Sequence, residues 1–362
     1  MNPSTEQAFS RDSFLGAIKP LAAKRKDAPQ SDALTSFLDQ YLADAFLEDF
    51  LQLTLEDAAS LALDLWAFNA ASEKKSERSI RTRRVTGANG KPLKMAVAEI
   101  VGPDLAFLVD SAIAAMQDAR IEVRAVLHPI VDGPTGKRST IQIHMPAVSD
   151  EQLAALQKRL EETFSDVAAV NADHIAMQTK MRNAADGLAG LKVTAERTQE
   201  EISEAREFLA WLAAENFTFL GARDYVFARD GAGYLANDEP EVEAGSGLGI
   251  LRDPSRNVLS RAAEPTVLTA AIRTFLNEPS PIIVAKASFV SHVHRRTHAD
   301  YVGVKRYDAR GEVTGETRFV GLFTSEAYTR TADEVPLIRR KIEKVKALSM
   351  TGSRFSMKQL ET

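Results

Sequence analysis

His292, His294, Arg295, Arg296 and His298 fall within a single short run of the chain. In a strand, His292 and His294 would share one face, and His298 could return from a turn. Three imidazoles with an open fourth position are the ligand set of a hydrolytic zinc site. Against that reading, no His-Glu-x-x-His motif accompanies them, and Arg295 and Arg296 would repel a dication. The same residue types suit hydrogen bonding within a loop, or an anion held by the two arginines.

A second place invites a small molecule. Gly102-Pro103-Asp104 separates a strand-like segment from a helical stripe. A helix that starts there offers free backbone N–H groups and the positive end of its dipole, which suit an amino-acid carboxylate. Asp104 could instead just cap that helix, and the two roles can coexist. A third feature is the basic stretch Glu73–Arg84, with Lys74, Lys75, Arg78, Arg81, Arg83 and Arg84. It reads either as an anion-binding patch or as a solvated linker or exposed strand.

Other chemistries lack their residues. Gly133–Lys137 fails as a phosphate loop, because Val131 stands where a glycine is needed and Arg138 where a Ser or Thr is needed. Gly245-Ser246-Gly247-Leu248-Gly249 is not a dinucleotide fingerprint, and no Gly-x-Ser-x-Gly elbow occurs. The chain has no cysteine, which removes thiol nucleophiles and disulfides. The acid pairs Glu161-Glu162 and Glu200-Glu201 lie on helical stretches and read as solvated.

These residues need elements to hold them. Leu34, Phe37, Leu38, Tyr41 and Leu42 trace one helical face, and a helical region is expected over residues 31–72. From Lys94 the pattern changes. Met95–Val101 is strand-like; Leu105, Leu108, Val109, Ala112, Ile113 and Met116 stripe a helix; Glu122–Ile130 reads as strand. Thr140–Met145 alternates, with Ile141, Ile143 and Met145 on one face and Thr140, Gln142 and His144 on the other. Ser149 and Gln152 form a capping box before the stripe Leu153, Leu156, Leu160 and Phe164, and Asp166–Val170 is expected as a closing strand. The order β-α-β-β-α-β over residues 94–171 is the ferredoxin-like plan.

Residues 172–200 read as a helical connector into a second mixed unit over 201–350. Its expected strands are Phe217–Leu220, Asp224–Ala228, Ile282–Ala285, Tyr301–Tyr307 and Thr317–Thr324. A hairpin turn is expected at Arg229–Gly233 and helices at Val267–Leu276 and Ala332–Ser349. Residues 1–30 read as a loose arm with one short helix, residues 73–84 as a basic linker, and residues 351–362 as a tail. The fold class is therefore α+β: a helical region, a βαββαβ domain and a second mixed domain.

At 362 residues the chain can hold two or three such domains. A net charge of −5 gives no general attraction to nucleic acid or an anionic membrane. Met1–Arg11 lacks the apolar core of a secretory signal, and no apolar stretch approaches the roughly 18 residues of a membrane span. A cysteine-free chain of this kind fits the cytoplasm.

Five ordered segments carry a resemblance. They are Val101-Gly102-Pro103-Asp104 with Phe107–Ser111; Glu204 with Arg206–Leu212; Asn216–Gly221; Val290–Arg296; and Phe319–Ser325. As a set, spread over most of residues 20–355, the chain resembles the N-terminal part of the large NAD-specific bacterial glutamate dehydrogenases. One departure is Arg138–Met145, where Gln142 and a polar face replace a more acidic pattern.

The resemblance implies a series of ACT-type domains, so the second unit is expected to be ACT-like as well. It implies an enzyme of amino-acid catabolism that converts L-glutamate to 2-oxoglutarate and ammonia while reducing NAD. NAD would be the parent enzyme's cofactor, with none held by this chain. The chain, ending at Thr362, is expected to lack the catalytic domain and to be inactive alone. It would act as a regulatory and assembly segment that self-associates through ACT-type sheets, meets the catalytic domain, and takes an amino-acid effector at Gly102, Pro103 and Asp104. The expected alternatives are a scaffold without ligand and a stand-alone metal-dependent hydrolase using His292, His294 and His298.

Overall fold

The computed structural model describes residues 11–24, 32–43, 50, 53–72, 78–133, 136–194, 197–227, 241–256, 258, 279–331 and 334–340. The hairpin turn expected at 229–233, the helix at 267–276, the tail at 351–362 and most of the helix at 332–349 lie outside the described residues. The chain divides into two compact units, Met1–Ala168 with His292–Arg296, and Ala169–Ser291 with Thr297–Thr362.

In the first unit, α1 (Arg11–Ala23), α2 (Asp32–Tyr41) and α3 (Leu55–Ser72) precede a sheet. The predicted stripe of α2 is buried, with Leu34, Phe37, Leu38 and Tyr41 packing against Ala58, Ala62 and Leu65 of α3. The sheet holds β1 (Ser79–Thr86), β2 (Pro92–Pro103), β3 (Ala125–Leu127), β4 (Ile130–Gly133) and β5 (Gly136–Pro146), in the order β1-β2-β5-β3 with β4 also on β5. Every pairing is antiparallel. Helix α4 (Leu108–Asp118) lies between β2 and β3, and α5 (Asp150–Gly187) follows β5.

The first five elements of the ferredoxin-like plan are present, but the closing strand is not at Asp166–Val170. Those residues continue α5. No glycine or proline interrupts residues 150–186, and Leu156, Leu160, Phe164 and Val167 keep a buried helical stripe running through the segment. The edge of the sheet beside β2 is taken instead by β1, a strand supplied from before the plan begins. It is the basic stretch that read as patch, linker or exposed strand; its residues 73–77 lie outside the described ones.

The sheet is covered on both faces. Thr82 Oγ donates to the Leu153 carbonyl at 3.0 Å, which sets α5 on the face that carries Ile100, Ile141 and Ile143. The opposite face bears Thr140, Gln142 and His144 and is not open to water: all three are at most 2% exposed. Val101 and Leu127 on this face share a core with α1, α2 and α3. The capping box at α5 forms as expected, Gln152 N–H donating to Ser149 Oγ at 3.2 Å and Ser149 N–H to Gln152 Oε1 at 3.0 Å.

The second unit begins within α5 and continues with α6 (Gln199–Trp211), β6 (Phe217–Val226), β7 (Glu241–Val242), β8 (Leu248–Gly249), β9 (Ile282–Val290), β10 (His298–Tyr307), β11 (Val313–Phe323) and the short α7 (Ser325–Thr329). The sheet order is β7-β6-β11-β10-β9, with β8 on β6. The described strands are ordered differently from those of the first unit. In the first unit the strand that opens the plan, β2, sits inside the long ladder beside β5. Here β9, β10 and β11 form a meander that returns beside β6, and β11 lies between β6 and β10. Among the described residues, α5 and α6 precede the first strand and supply its core: Met177, Met181, Ile202, Phe208 and Leu209 pack on Phe219, Ala222, Val302 and Phe319.

Candidate effector site

Gly102 and Pro103 end β2, paired with Ser139 and Arg138 of β5. The helix does not start at Asp104. The Asp104 N–H is spent on the Lys137 carbonyl at 3.1 Å, α4 begins at Leu108, and Phe107, with φ 70°, holds the N-cap position without a side-chain cap. The helix N-terminus is thus four residues from the predicted contact, so the backbone N–H of Asp104 cannot serve a ligand. Gly102 has a different task. A Cβ there would lie 3.1 Å from the backbone and side chain of Arg78, so the glycine lets the chain just before β1 approach closely.

Arg78 is the consequence of that approach. One terminal nitrogen donates to the Pro103 carbonyl. The other, Nη1, is buried and has no hydrogen-bond partner among the described residues. The guanidinium carbon stands 5.2 Å from the centre of the Phe164 ring. Burial pulls the Arg78 pKa down to about 10, Asp104 opposes this and Arg138 adds to it, so the group remains charged at neutral pH. A cavity of about 430 Å³ opens beside it, walled by Ile80, Pro103, Leu105 and Phe164, with Glu161 on its lining. That volume falls within the range of small-molecule sites.

Behind this site runs a buried polar network. Glu99, fully buried, accepts from Arg81 Nε, from Arg83 Nε at 3.1 Å and Nη2 at 3.2 Å, and from Gln142 Nε2 at 2.8 Å. Gln142 Oε1 accepts from Tyr41 Oη at 2.6 Å and lies 2.9 Å from His144 Nε2. An amide oxygen only accepts, so His144 carries its proton on Nε2. Burial holds the His144 pKa down at about 4, against the pull of Glu99, and pushes that of Tyr41 up. These groups brace β1, and with it the start of the strand where Arg78 stands.

The histidine run is built differently. Residues 292–296 belong to the first unit, where they meet α4. His294 N–H donates to the buried Ser111 Oγ at 2.9 Å, His294 Nδ1 lies 2.9 Å from Asp110 Oδ2, and its ring is 4.9 Å from that of Phe107. Arg296 Nε donates to Asp118, and Arg159 Nη1 approaches the same carboxylate at 3.5 Å. His292 Nδ1 is 2.9 Å from Asp118 Oδ2 but not aligned as a hydrogen bond. Asp118 is the last residue of α4, where the helix dipole disfavours a negative charge. Burial would raise its pKa; Arg296, His292 and Arg159 outweigh that and hold it low. His292 and His294 thus meet acids at opposite ends of α4, and His298 opens β10, paired with Val290. Among the described residues no group of three or more His, Cys, Asp or Glu side chains could hold a metal ion. The arrangement is a clasp of loop to helix, in which Arg296 is already spent on Asp118.

Residues 37–152, from α2 to the start of α5, match the family of the glutamate dehydrogenase ACT1 domain. The NAD-specific glutamate dehydrogenase of Pseudomonas aeruginosa is 28% identical over 93% of this chain, and that of Halomonas elongata 26% identical over 94%. This chain is similar to the NAD-specific glutamate dehydrogenases. It spans 22% of the length of each of those two relatives. The Mycobacterium tuberculosis dehydrogenase of the same description is 26% identical over 69% of the chain. Among solved structures, an RNA-binding light-oxygen-voltage receptor overlaps 84% of the chain and 92% of its own at 10% identity, with a TM-score of 0.17, too low to inform the fold.

Of the residues that sequence singled out in this chain, Pro103 lines the cavity, Gly102 admits Arg78, and Asp104 acts on Arg78 through its charge. His292, His294 and Arg296 meet α4. Arg78 and Glu161 were not singled out as a pair. Glu161 reads as solvated, yet it lies three residues before Phe164 and so on the same helical face. That spacing was a usable signal; the approach of Arg78 from a distant strand was not.

Proposed function

We propose that this chain is a regulatory and assembly segment of a large NAD-specific glutamate dehydrogenase, with hydride transfer carried out by another segment of that enzyme. The observation that carries the reading is the match of nearly all of this chain to about a fifth of the dehydrogenases' length. It is supported by the sheets, which are antiparallel in every pairing described. Dinucleotides bind open parallel sheets at the carboxyl ends of strands, where strand order reverses, and an antiparallel sheet has no such crevice. Regulation would work by linkage: an effector that binds one state of the assembly better shifts activity in the distant segment. Self-association and a cytoplasmic setting complete the proposal; no helix among the described residues is long and apolar enough to cross a membrane.

Two measurements test this. The chain alone, given L-glutamate and NAD, is expected to form no NADH, and measurable turnover would overturn the reading. Mixed with the remaining portion of a dehydrogenase such as the Pseudomonas aeruginosa enzyme, it is expected to co-migrate on gel filtration. Separate elution at micromolar concentration would count decisively against assembly.

A further inference from the structure

Helix α6 carries Glu200, Glu201, Glu204 and Glu207. Each has another of the set three or four residues away, so they share one helical face and repel one another. Residues 334–340 cross this face. Arg339 donates to Glu204 Oε1 from Nε at 2.9 Å and from Nη2 at 2.7 Å, and Nη2 also donates to Glu207. Arg340 Nη2 donates to Glu201 Oε1 at 3.1 Å and lies 3.5 Å from Glu200 Oε2. The Leu337 N–H donates to Glu204 Oε2 at 2.8 Å. The acid pair Glu200-Glu201, solvated by its sequence pattern, is thus the seat of an arginine.

The seated segment carries two costs. Leu337 has φ 69°, in the left-handed region where a residue with a Cβ is strained. Arg340 Nε is buried without a partner among the described residues, and a buried unpaired donor has lost its hydration for nothing. Lifting the segment into water removes both costs. Against them stand the packing of Leu337 on the core of the second unit and the ion pairs. Burial would raise the Glu204 pKa; Arg339 and the Leu337 N–H outweigh it and hold the carboxyl low, so this anchor is charged at neutral pH. Glu204 is only 12% exposed, whereas Glu207 and Glu200 keep 51% and 69% of their side chains in water. Salt screens such exposed charges readily.

We propose that residues 334–340 form an ionic strap, closed on α6 at low ionic strength and opening as salt rises while the second unit stays folded. Opening releases the backbone of Leu337 and uncovers the acidic face of α6. Glu204 is the anchor, and Arg339 is the fastening that ties it to Glu207. The inference goes beyond the regulatory reading and does not depend on it.

Hydrogen exchange of the full 362-residue chain, read by mass spectrometry, tests the proposal. Amides of residues 334–340 are expected to exchange roughly three-fold or more faster in about 0.5 M than in about 0.05 M sodium chloride, corrected against a free peptide of that sequence. Amides of β6 are expected to stay unchanged. Arg339→Gln is expected to speed exchange of the strap about ten-fold at low salt and to remove most of its salt dependence. Arg339→Lys keeps the charge but loses the fork, so its exchange should be intermediate and still salt-dependent. If Arg339→Gln speeds β6 as well, that variant has unfolded, and the salt response of the unaltered chain and of Arg339→Lys decides the matter. Exchange of the strap that ignores salt in both, or that rises only together with β6, would overturn the proposal.

Discussion

Each unit buries a glutamate in the middle of a sheet face, and the two are served differently. Glu99 of the first unit has its arginines on an edge strand, where Arg81 and Arg83 keep 32% and 24% of their side chains exposed. Glu316 of the second unit lies on β11, between β6 and β10. Its Oε2 accepts from Arg318 Nε at 2.9 Å, its Oε1 from Tyr301 Oη, and Arg318 is only 7% exposed. The Arg318 guanidinium is stacked 3.9 Å over the Tyr225 ring. Burial works against the charge on Arg318, but Glu316 and the two tyrosines outweigh it and raise its pKa. Room for the carboxylate comes from Gly303, where a Cβ would collide with Glu316 Oε1. The first network can hand its cations to water if it fails; the second cannot. An edge network therefore fastens a strand, whereas an interior one commits the whole sheet.

The comparison ranks the effects of breaking each part. Glu316→Ala should be the most damaging, at about 3–5 kcal/mol in urea unfolding, because it strands a buried Arg318. Next comes acid. The folded pKa of His144, about 4, lies below the ordinary histidine value of about 6.5, so the unfolded chain binds more protons between those values. Its contribution is complete above pH 6.5 and shrinks as pH falls towards 4, by up to about 3 kcal/mol. Melting temperature against pH should show this limb, and His144→Gln should flatten it; an unchanged limb would place the acid sensitivity elsewhere. Glu99→Ala is expected to cost about 2 kcal/mol, since Arg81 and Arg83 can turn to solvent. A loss equal to that of Glu316→Ala would erase the distinction between edge and interior. Asp118→Asn, at the more exposed clasp of residues 292–296, is expected to cost about 1 kcal/mol or less, measured by the same unfolding curves.

How much of this was readable depends on the range of the interactions. The stripe of α2, the capping box at Ser149 and Gln152, and the alternation of Thr140–Met145 are patterns over a few residues, and they reappear as helix, cap and strand. The turn at Gly311, with φ 87° and its N–H bonded to the Asp308 carbonyl at 3.0 Å, is equally local. Asp166–Val170 was misread because a short apolar run fits strand or helix, and only the continuous stripe from Leu156 decides between them. The burial of the polar face of Gln142 and His144 is not legible locally, because its cover, α1 to α3, comes from far earlier in the chain. At the candidate site Gly102 and Pro103 end β2, a position local patterning marks, whereas Arg78 reaches them only because β1 pairs with β2.

The sequence by itself determined the α+β class, most helices and strands, and a relationship to the glutamate dehydrogenases, because periodicity and ordered motifs are written in neighbouring residues. Tertiary structure alone decided that a basic stretch becomes the edge strand of the first sheet, that β11 separates β6 from β10 in the second, and that the histidines clasp α4. It also decided that one nitrogen of Arg78 is left unpaired beside an apolar cavity. The physical reason is common to all four: strand partners, ion pairs and cavities are set by residues tens to hundreds of positions apart, and no local pattern encodes which of several available charges will be satisfied.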